Sequence, residues 1–299
     1  MRLFYTGAFV LPLPPGHRFP MAKYSLLRER LLAGGEFPES AFHTPDAASD
    51  EELCRAHDAG YVRRVAAGEL TPAEQKRIGF PWSPEMVERS RRSAGATLAA
   101  CRAALAEGCA ANLAGGTHHA QADRGEGFCV FNDAAVAARA MLAERRVGRV
   151  AVIDCDVHQG NGTATILAGD KRVFTFSIHG ARNFPFEKAQ SDLDIELADD
   201  TGDADYLAAL DAGLAETFAR CRPELVIYLA GADPYAGDRL GRLSLSFAGL
   251  AERDARVLGS CRERGIPAAL AMAGGYAEPI ADTVTIHATT IRTAKRIFG

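Results

Sequence analysis

The stretch VAVIDCDVHQGNG (150–162) decides how this chain is read. Four apolar residues run into Asp154, Asp156 and His158 on alternating positions, and a glycine-rich turn follows. A short, continuous apolar run bounded by turn residues predicts a strand buried on both faces. Acids at the end of such a strand are costly, because a buried carboxylate without a partner loses its hydration. Two of them close together also repel each other. In an extended chain, residues two apart point the same way. Asp156 and His158 therefore can grip one cation, with Asp154 one step behind on the same side.

The pattern repeats outward from this segment. Apolar runs at Leu3–Tyr5, Ala110–Leu113, Val150–Asp154, Val173–Ile178, Leu225–Ala230 and Ala268–Ala273 alternate with helix-like stretches near 20–32, 84–107, 133–146, 204–221, 247–264 and 277–297. Strand and helix in alternation predict an α/β fold, with a mostly parallel sheet covered on both faces. Ligands in such sheets bind beyond the carboxyl ends of the strands. Five of those ends carry Gly with His, Asp, Phe or Tyr: AGGTHHAQADRGEGFCVFND, CDVHQGNG, HGARNFPF, GADPYAGDRLG and GGY.

Composition narrows the class. The 299 residues are 47% hydrophobic and 24% charged, with formal net charge −4 and a pI near 6.1. That balance describes a globular chain with a large core and no basic footprint for nucleic acid. Seven scattered cysteines without a C-x-x-C pair fit reduced thiols in a cytoplasm. No apolar run approaches the ~20 residues that span a bilayer. MRLFYTGAFVLPLPPG is broken by Gly7 and three prolines, so it reads as a strand and loop rather than a leader.

A carboxylate–imidazole pair needs a third ligand to make a catalytic metal site with an open position. Asp233, ending the run LVIYLAGAD, is the best donor. His118 and His119 follow a Gly-Gly turn, which lets both rings face one place. Tyr276, after Gly274 and Gly275, can donate to a developing oxyanion. Phe128 and Phe184 sit among loop Gly, Asn and Pro residues, where aromatics suggest a lined channel.

Together these residues resemble the zinc-dependent histone deacetylase and acetylpolyamine amidohydrolase family. The resemblance is carried by GGTHHA (115–120), GFCVFND (127–133), IDCDVHQGNG (153–162), SIH (177–179), GADPYAGDRLG (231–241) and GGY (274–276), and extended by GHRFPM (16–21) and AHDAGY (56–61). VHQGNG and GDRLG-x-LS are most similar to the class IV (histone-deacetylase-11-like) branch and its bacterial relatives. The resemblance implies a three-layer α/β/α arginase-deacetylase fold, with 1–299 as a single catalytic domain. It implies Zn2+, or Fe2+, on Asp156, His158 and Asp233, and catalytic roles for His118, His119, Tyr276, Asp154 and Asn161. Asp154 would partner His118 and Asn161 would partner His119, where some branches carry aspartate. Gly127, Phe128, Phe184, Gly274 and Gly275 would line a substrate tunnel, and Arg18 a product cavity. A structural K+ or Na+ would be held by Asp154, Asp156, His158, Ser177 and Ile178.

The expected activity is hydrolysis of the amide of an N-acylated amine, either an acylated protein lysine or a small acylated amine such as an acetylpolyamine. His118, beside a carboxylate, is expected to be an imidazolium. His119, beside neutral Asn161, is expected to titrate near its ordinary value and to act as general base. A non-catalytic acyl-binding module would lack a ligand or the tyrosine. A two-manganese ureohydrolase would need further acids and histidines at the strand ends. The sequence meets neither requirement, and Gln159 has no role beyond the turn.

Overall fold

The computed structural model describes residues 1–7 and 9–299. Its strands are β1 (Arg2–Phe4), β2 (Phe42–His43), β3 (Cys109–Asn112), β4 (Val150–Asp154), β5 (Val173–Gly180), β6 (Leu193–Leu197), β7 (Leu225–Leu229) and β8 (Ala268–Ala271). They form one sheet in the order β2-β1-β3-β8-β7-β4-β5-β6. Every pairing is parallel, so the expected mostly parallel sheet is wholly so among the described residues.

The strands missing from the sequence reading are the two edges. The first, β2, is only two residues long. The other, β6, reads LDIEL, and its half-buried Asp194 and exposed Glu196 break the apolar run. Short or charged edges are how sheets avoid pairing with a second chain, and that same feature hides them from hydropathy.

The helices are α1 (Lys23–Ala33), α2 (Asp50–Leu53), α3 (Ala59–Ala67), α4 (Pro72–Ile78), α5 (Pro84–Glu107), α6 (Asp133–Ala143), α7 (Asn161–Leu167), α8 (Asp203–Cys221), α9 (Phe247–Glu263) and α10 (Ile280–Phe298). Their starts are written locally. Ser83 caps α5 by accepting from Met86 N, with Pro84 in the first turn. Thr71 and Glu74 close a reciprocal capping box on α4, as Ser49 and Glu52 do on α2. Such caps are each worth about 1 kcal/mol.

Alternate residues of the central strands enter two cores. Val150, Val152, Ile227, Leu229, Ala269 and Ala271 pack with α5 and α6. Ala151, Ile153, Val226, Tyr228, Ala268 and Leu270 pack with α1, α8, α9 and α10. This is the three-layer α/β/α arrangement, set by the strand period of two. Each fully buried aliphatic side chain contributes roughly 1.5–3 kcal/mol, so the sheet is a stiff platform for the loops at its end.

Register fixes where those loops leave. Asn112 pairs with Ala271, Ala271 with Leu229, Leu229 with Asp154, and Asp154 with Ser177. The ends of β3, β8, β7 and β4 therefore lie in one row across the sheet, with Ser177 of β5 beside them.

Candidate active site

The four adjacent strands β3, β8, β7 and β4 deliver, within a few residues of that row, His118–His119, Gly274–Tyr276, Asp233 and Asp156–His158. All of these line one cavity of about 550 Å³ except Val157 and Gly275, so Gly275, expected to line the tunnel, lies behind its wall.

Asp156, His158 and Asp233 each present a ligand atom, and the three atoms lie within 4.8 Å of one another. Asp156 and Asp233 are fully buried and His158 nearly so. His158 Nδ1 lies 2.9 Å from Asp156 Oδ1 and 3.3 Å from Asp233 Oδ2. Two carboxylates at this separation repel by about 3–4 kcal/mol at the effective dielectric of a protein. Burial first, then the Asp156 charge, push Asp233 up to about 7. At His158 burial opposes the charge, but Asp156 and Asp233 outweigh it and push the imidazole up to about 10. The cluster thus attracts positive charge at the point where its ligand atoms converge.

Two further observations fit a divalent cation. Asp233 Oδ2 is buried, and with His158 Nδ1 at 3.3 Å it has no well-aligned hydrogen-bond donor, an expensive state unless something cationic meets it. Gly274 leaves the space open: a Cβ there would overlap Asp233 Oδ2 and lie 2.6 Å from Asp156 Oδ2. The other Asp156 and Asp233 oxygens are tied to the backbone. Val157 N donates to Asp233 Oδ1, and Gly274 N to Asp156 Oδ2 (2.9 and 2.8 Å). The donor set of one imidazole and two carboxylates suits a borderline divalent ion such as zinc or ferrous iron.

Beside this cluster stand the two histidines, ring centroids 4.1 Å apart. Asp133 shapes the loop that carries them. It accepts from Gly116 N, Thr117 N, Thr117 Oγ1 and Thr97 Oγ1. No role for Asp133 was evident from the sequence, although the FND motif contains it. His118 Nδ1 donates to Asp154 Oδ2 at 2.6 Å. Burial opposes a charge on His118, but Asp154 and Asp156 push it up to about 9. Gly160 permits this approach, since a Cβ there would lie 2.5 Å from Asp154 Oδ2.

His119 Nδ1 lies 2.8 Å from Asn161 Oδ1, and Asn161 Nδ2 donates to Glu126 Oε1 at 2.7 Å. Amide ends are alike in shape, but a carboxylate only accepts. Glu126 therefore fixes the NH2 of Asn161 toward itself and the carbonyl oxygen toward His119. His119 Nδ1 must then carry the proton, which leaves Nε2 with a free lone pair. Burial, the neighbouring His118 charge and then His158 hold His119 well below its ordinary value. This corrects the expectation that a neutral partner leaves His119 near that value: the partner is neutral, but the surroundings are dry and cationic. No sequence signal pointed to Glu126, which reaches the histidine only through the amide.

Tyr276 is buried against the same cluster. Burial, then Asp233 and Asp156, hold its phenol well above the ordinary value, so it remains a hydrogen-bond donor. Its backbone is clamped from both sides. Asp238 accepts from Tyr276 N at 2.5 Å, and Arg239 Nε donates to Tyr276 O at 3.0 Å. Both come from the GDRLG segment.

Toward solvent, Phe184 meets His119 edge-on at 4.9 Å and Phe128 lies 6.2 Å from Tyr276. Gly127 lies between, packed on the His119 ring. Phe128 holds φ 65°, a left-handed conformation that costs a bulky residue of order 1–3 kcal/mol and is seen mostly at functional sites. Phe19, which the sequence reading did not single out, packs on Phe128 at 5.3 Å.

The remaining residues fall as follows. Ser177 and Ile178 lie on β5 beside Asp154, and Ser177 Oγ bonds His179 Nδ1 at 2.9 Å. Arg18 lines the cavity with an exposed side chain, while the buried cations near its inner wall are Arg89 and Lys23. Lys23 Nζ donates to Ala273 O at 3.2 Å. Gln159 has a definite place. Its amide donates to Ala189 O and Asp194 Oδ1 and accepts from Ala189 N, each at 2.8 Å. It ties the loop that carries Asp156 and His158 to the segment before β6 and to β6 itself.

Comparison with known proteins places the chain in a family. A family described as "Histone deacetylase domain" matches residues 17–291. An uncharacterized protein of Picosynechococcus sp. is 41% identical over 98% of both chains. Histone deacetylase 2 of Arabidopsis thaliana is 32% identical over 90% of this chain and 73% of its own. The crystal structure of an HDAC homolog from Aquifex aeolicus superposes with TM-score 0.83 at 24% identity, covering 99% of this chain and 88% of that one; it shares the fold. By sequence match and architecture, the chain belongs to the histone deacetylase family of hydrolases.

Proposed function

We propose that the chain is a metal-dependent deacylase, a single catalytic unit over 1–299, that hydrolyses the amide of an acyl-lysine side chain or of a small acylated amine. The observation that carries this reading is the convergence of three buried ligand atoms beneath one cavity, beside a tyrosine donor and a histidine with a free Nε2. Asp156, His158 and Asp233 would hold a divalent ion, zinc or ferrous iron. Bound there, it would supply a water of lowered pKa and polarise the scissile carbonyl. Asp154, Ser177 and the carbonyls of Asp156, His158 and Ile178 would hold a K+ or Na+ behind it.

The chain's own groups do the rest. Phe128 and Phe184 with Gly127 and Gly274 receive a slender acyl chain and exclude water. Tyr276 Oη donates to the carbonyl oxygen as it gains charge. His119 Nε2 takes the proton from the attacking water and returns it to the leaving amine. His118, charged through Asp154, stabilises negative charge without moving its proton.

Metal analysis and turnover of an acyl-lysine peptide and a small acyl-amine panel test this reading. The expected result is one divalent ion per chain, lost in Asp233→Asn, with turnover cut roughly 10²-fold or more in Tyr276→Phe. Metal-free protein inert on every amide would overturn it.

A further inference from the structure

The cavity mouth carries a charge opposite to that of the chain. Arg18, Lys76, Arg77, Arg182 and Arg242 all line it, and all five are exposed. They come from separate segments: the loop before α1, the end of α4, and the loops after β5 and β7. Arg182 and Arg242 share one carboxylate, Asp199, at 3.4 and 3.2 Å. Among the described residues, no ion pair engages Arg18, Lys76 or Arg77. The other acid of this outer wall, Glu126, is engaged by Asn161. Five cations against Asp199 and Glu126 leave an excess of three positive charges, on a chain whose formal net charge is −4.

A solvated surface arginine needs no explanation alone. Five around one opening, three of them without an ion pair among the described residues, create a local positive field that selects what enters. The field would repel a polyamine, and it would repel an acyl-lysine flanked by basic residues. An acyl group entering the tunnel leaves the amine-bearing part of the substrate at this rim. Resting on the deacylase reading above, we infer that the substrate is an N-acylated amine whose amine-bearing part carries anionic groups, carboxylate or phosphate, and that the rim cations recognise them. The carboxylates can belong to an acidic peptide flanking an acyl-lysine, or to a small acyl amino acid.

The test is kcat/KM of the metal-loaded full chain on matched substrates. One arm is short acetyl-lysine peptides flanked by aspartates, serines or lysines. The other is Nε-acetyl-lysine with its carboxylate free or amidated, beside acetylputrescine. The expected order is acidic over neutral over basic, about ten- to a hundredfold between extremes, given a few-fold per exposed charge pair. The difference should lie in KM, shrink at high salt, and collapse in an Arg18→Gln, Lys76→Gln, Arg77→Gln triple variant. Binding of the same peptides to the Tyr276→Phe protein, followed by fluorescence anisotropy, should give the same order without turnover. If acidic peptides alone gain, the source is a protein; if the free carboxylate alone gains, it is a small molecule. A flat or reversed order with good turnover of the neutral peptide would sink the inference and leave the deacylase reading intact. No turnover of any substrate would instead strike the reading itself.

Discussion

His118 and His119 are neighbours in sequence, equally buried, and 4.1 Å apart ring to ring, yet the molecule drives them in opposite directions. One partner is a carboxylate, which lifts His118 to about 9 against the cost of burial. The other partner is an amide, whose hydrogen bond, even with the Asp156 charge, does not outweigh burial and the His118 and His158 charges, and His119 is driven well down. The difference shows that identical groups acquire different work from the atom behind them. His118 holds a proton through neutral pH, and His119 is free to take one.

The strongest way to break this comparison is to remove each ring. His119→Ala is expected to lose about 10²–10⁴ in kcat, the range for a positioned general base, and His118→Ala less. Steady-state kinetics on the best amide substrate decides it, and the reverse ranking would exchange the two roles.

A smaller effect sharpens the part played by the partners. Asn161→Asp should raise the His119 pKa and move the acid limb of the kcat/KM profile to higher pH. In that variant two carboxylates face each other where Asn161 now donates to Glu126. Glu126→Ala should therefore lower activity severalfold in the native background, by freeing the amide to turn, and raise it in the Asn161→Asp background. Equal effects in both backgrounds would reduce Glu126 to a packing residue.

The smallest effect concerns stability at a third buried histidine. His57 donates through Nδ1 to Gln121 O and accepts from Asn132 N, with no carboxylate bonded to it. Burial lowers its pKa to about 4. Between the unfolded value near 6.5 and about 4, the unfolded chain binds the extra proton. Its contribution is present above pH 6.5 and is lost as pH falls toward 4. Urea midpoints of the metal-free protein should fall less steeply over that window in His57→Gln than in the native chain. Parallel curves would show that His57 is not held neutral.

Much of the centre was legible in the chain. Apolar strands ending in Asp, His and Gly fix a parallel sheet with chemistry at its carboxyl edge, because periodicity and burial cost are local properties. Asp156, His158, Asp233, the paired histidines, Tyr276 and Asn161 all stand where the strand ends imply. The edge strands β2 and β6 did not show, since an edge need not be apolar. Neither did Asp133, Asp238 or Glu126, which act on the site through backbone amides or through another side chain.

By itself, then, the sequence determined which groups meet, since each strand end carries its own ligand and the sheet brings strand ends into one row. Only the tertiary structure decided what those groups are worth. The direction of the His119 shift depends on how dry its surroundings are and on a charge carried by the adjacent ring. The basic mouth depends on residues from 18 to 242 meeting around one opening, on a chain that is acidic as a whole. Charge and dielectric act through space, and spacing along the chain does not encode the distances on which they depend.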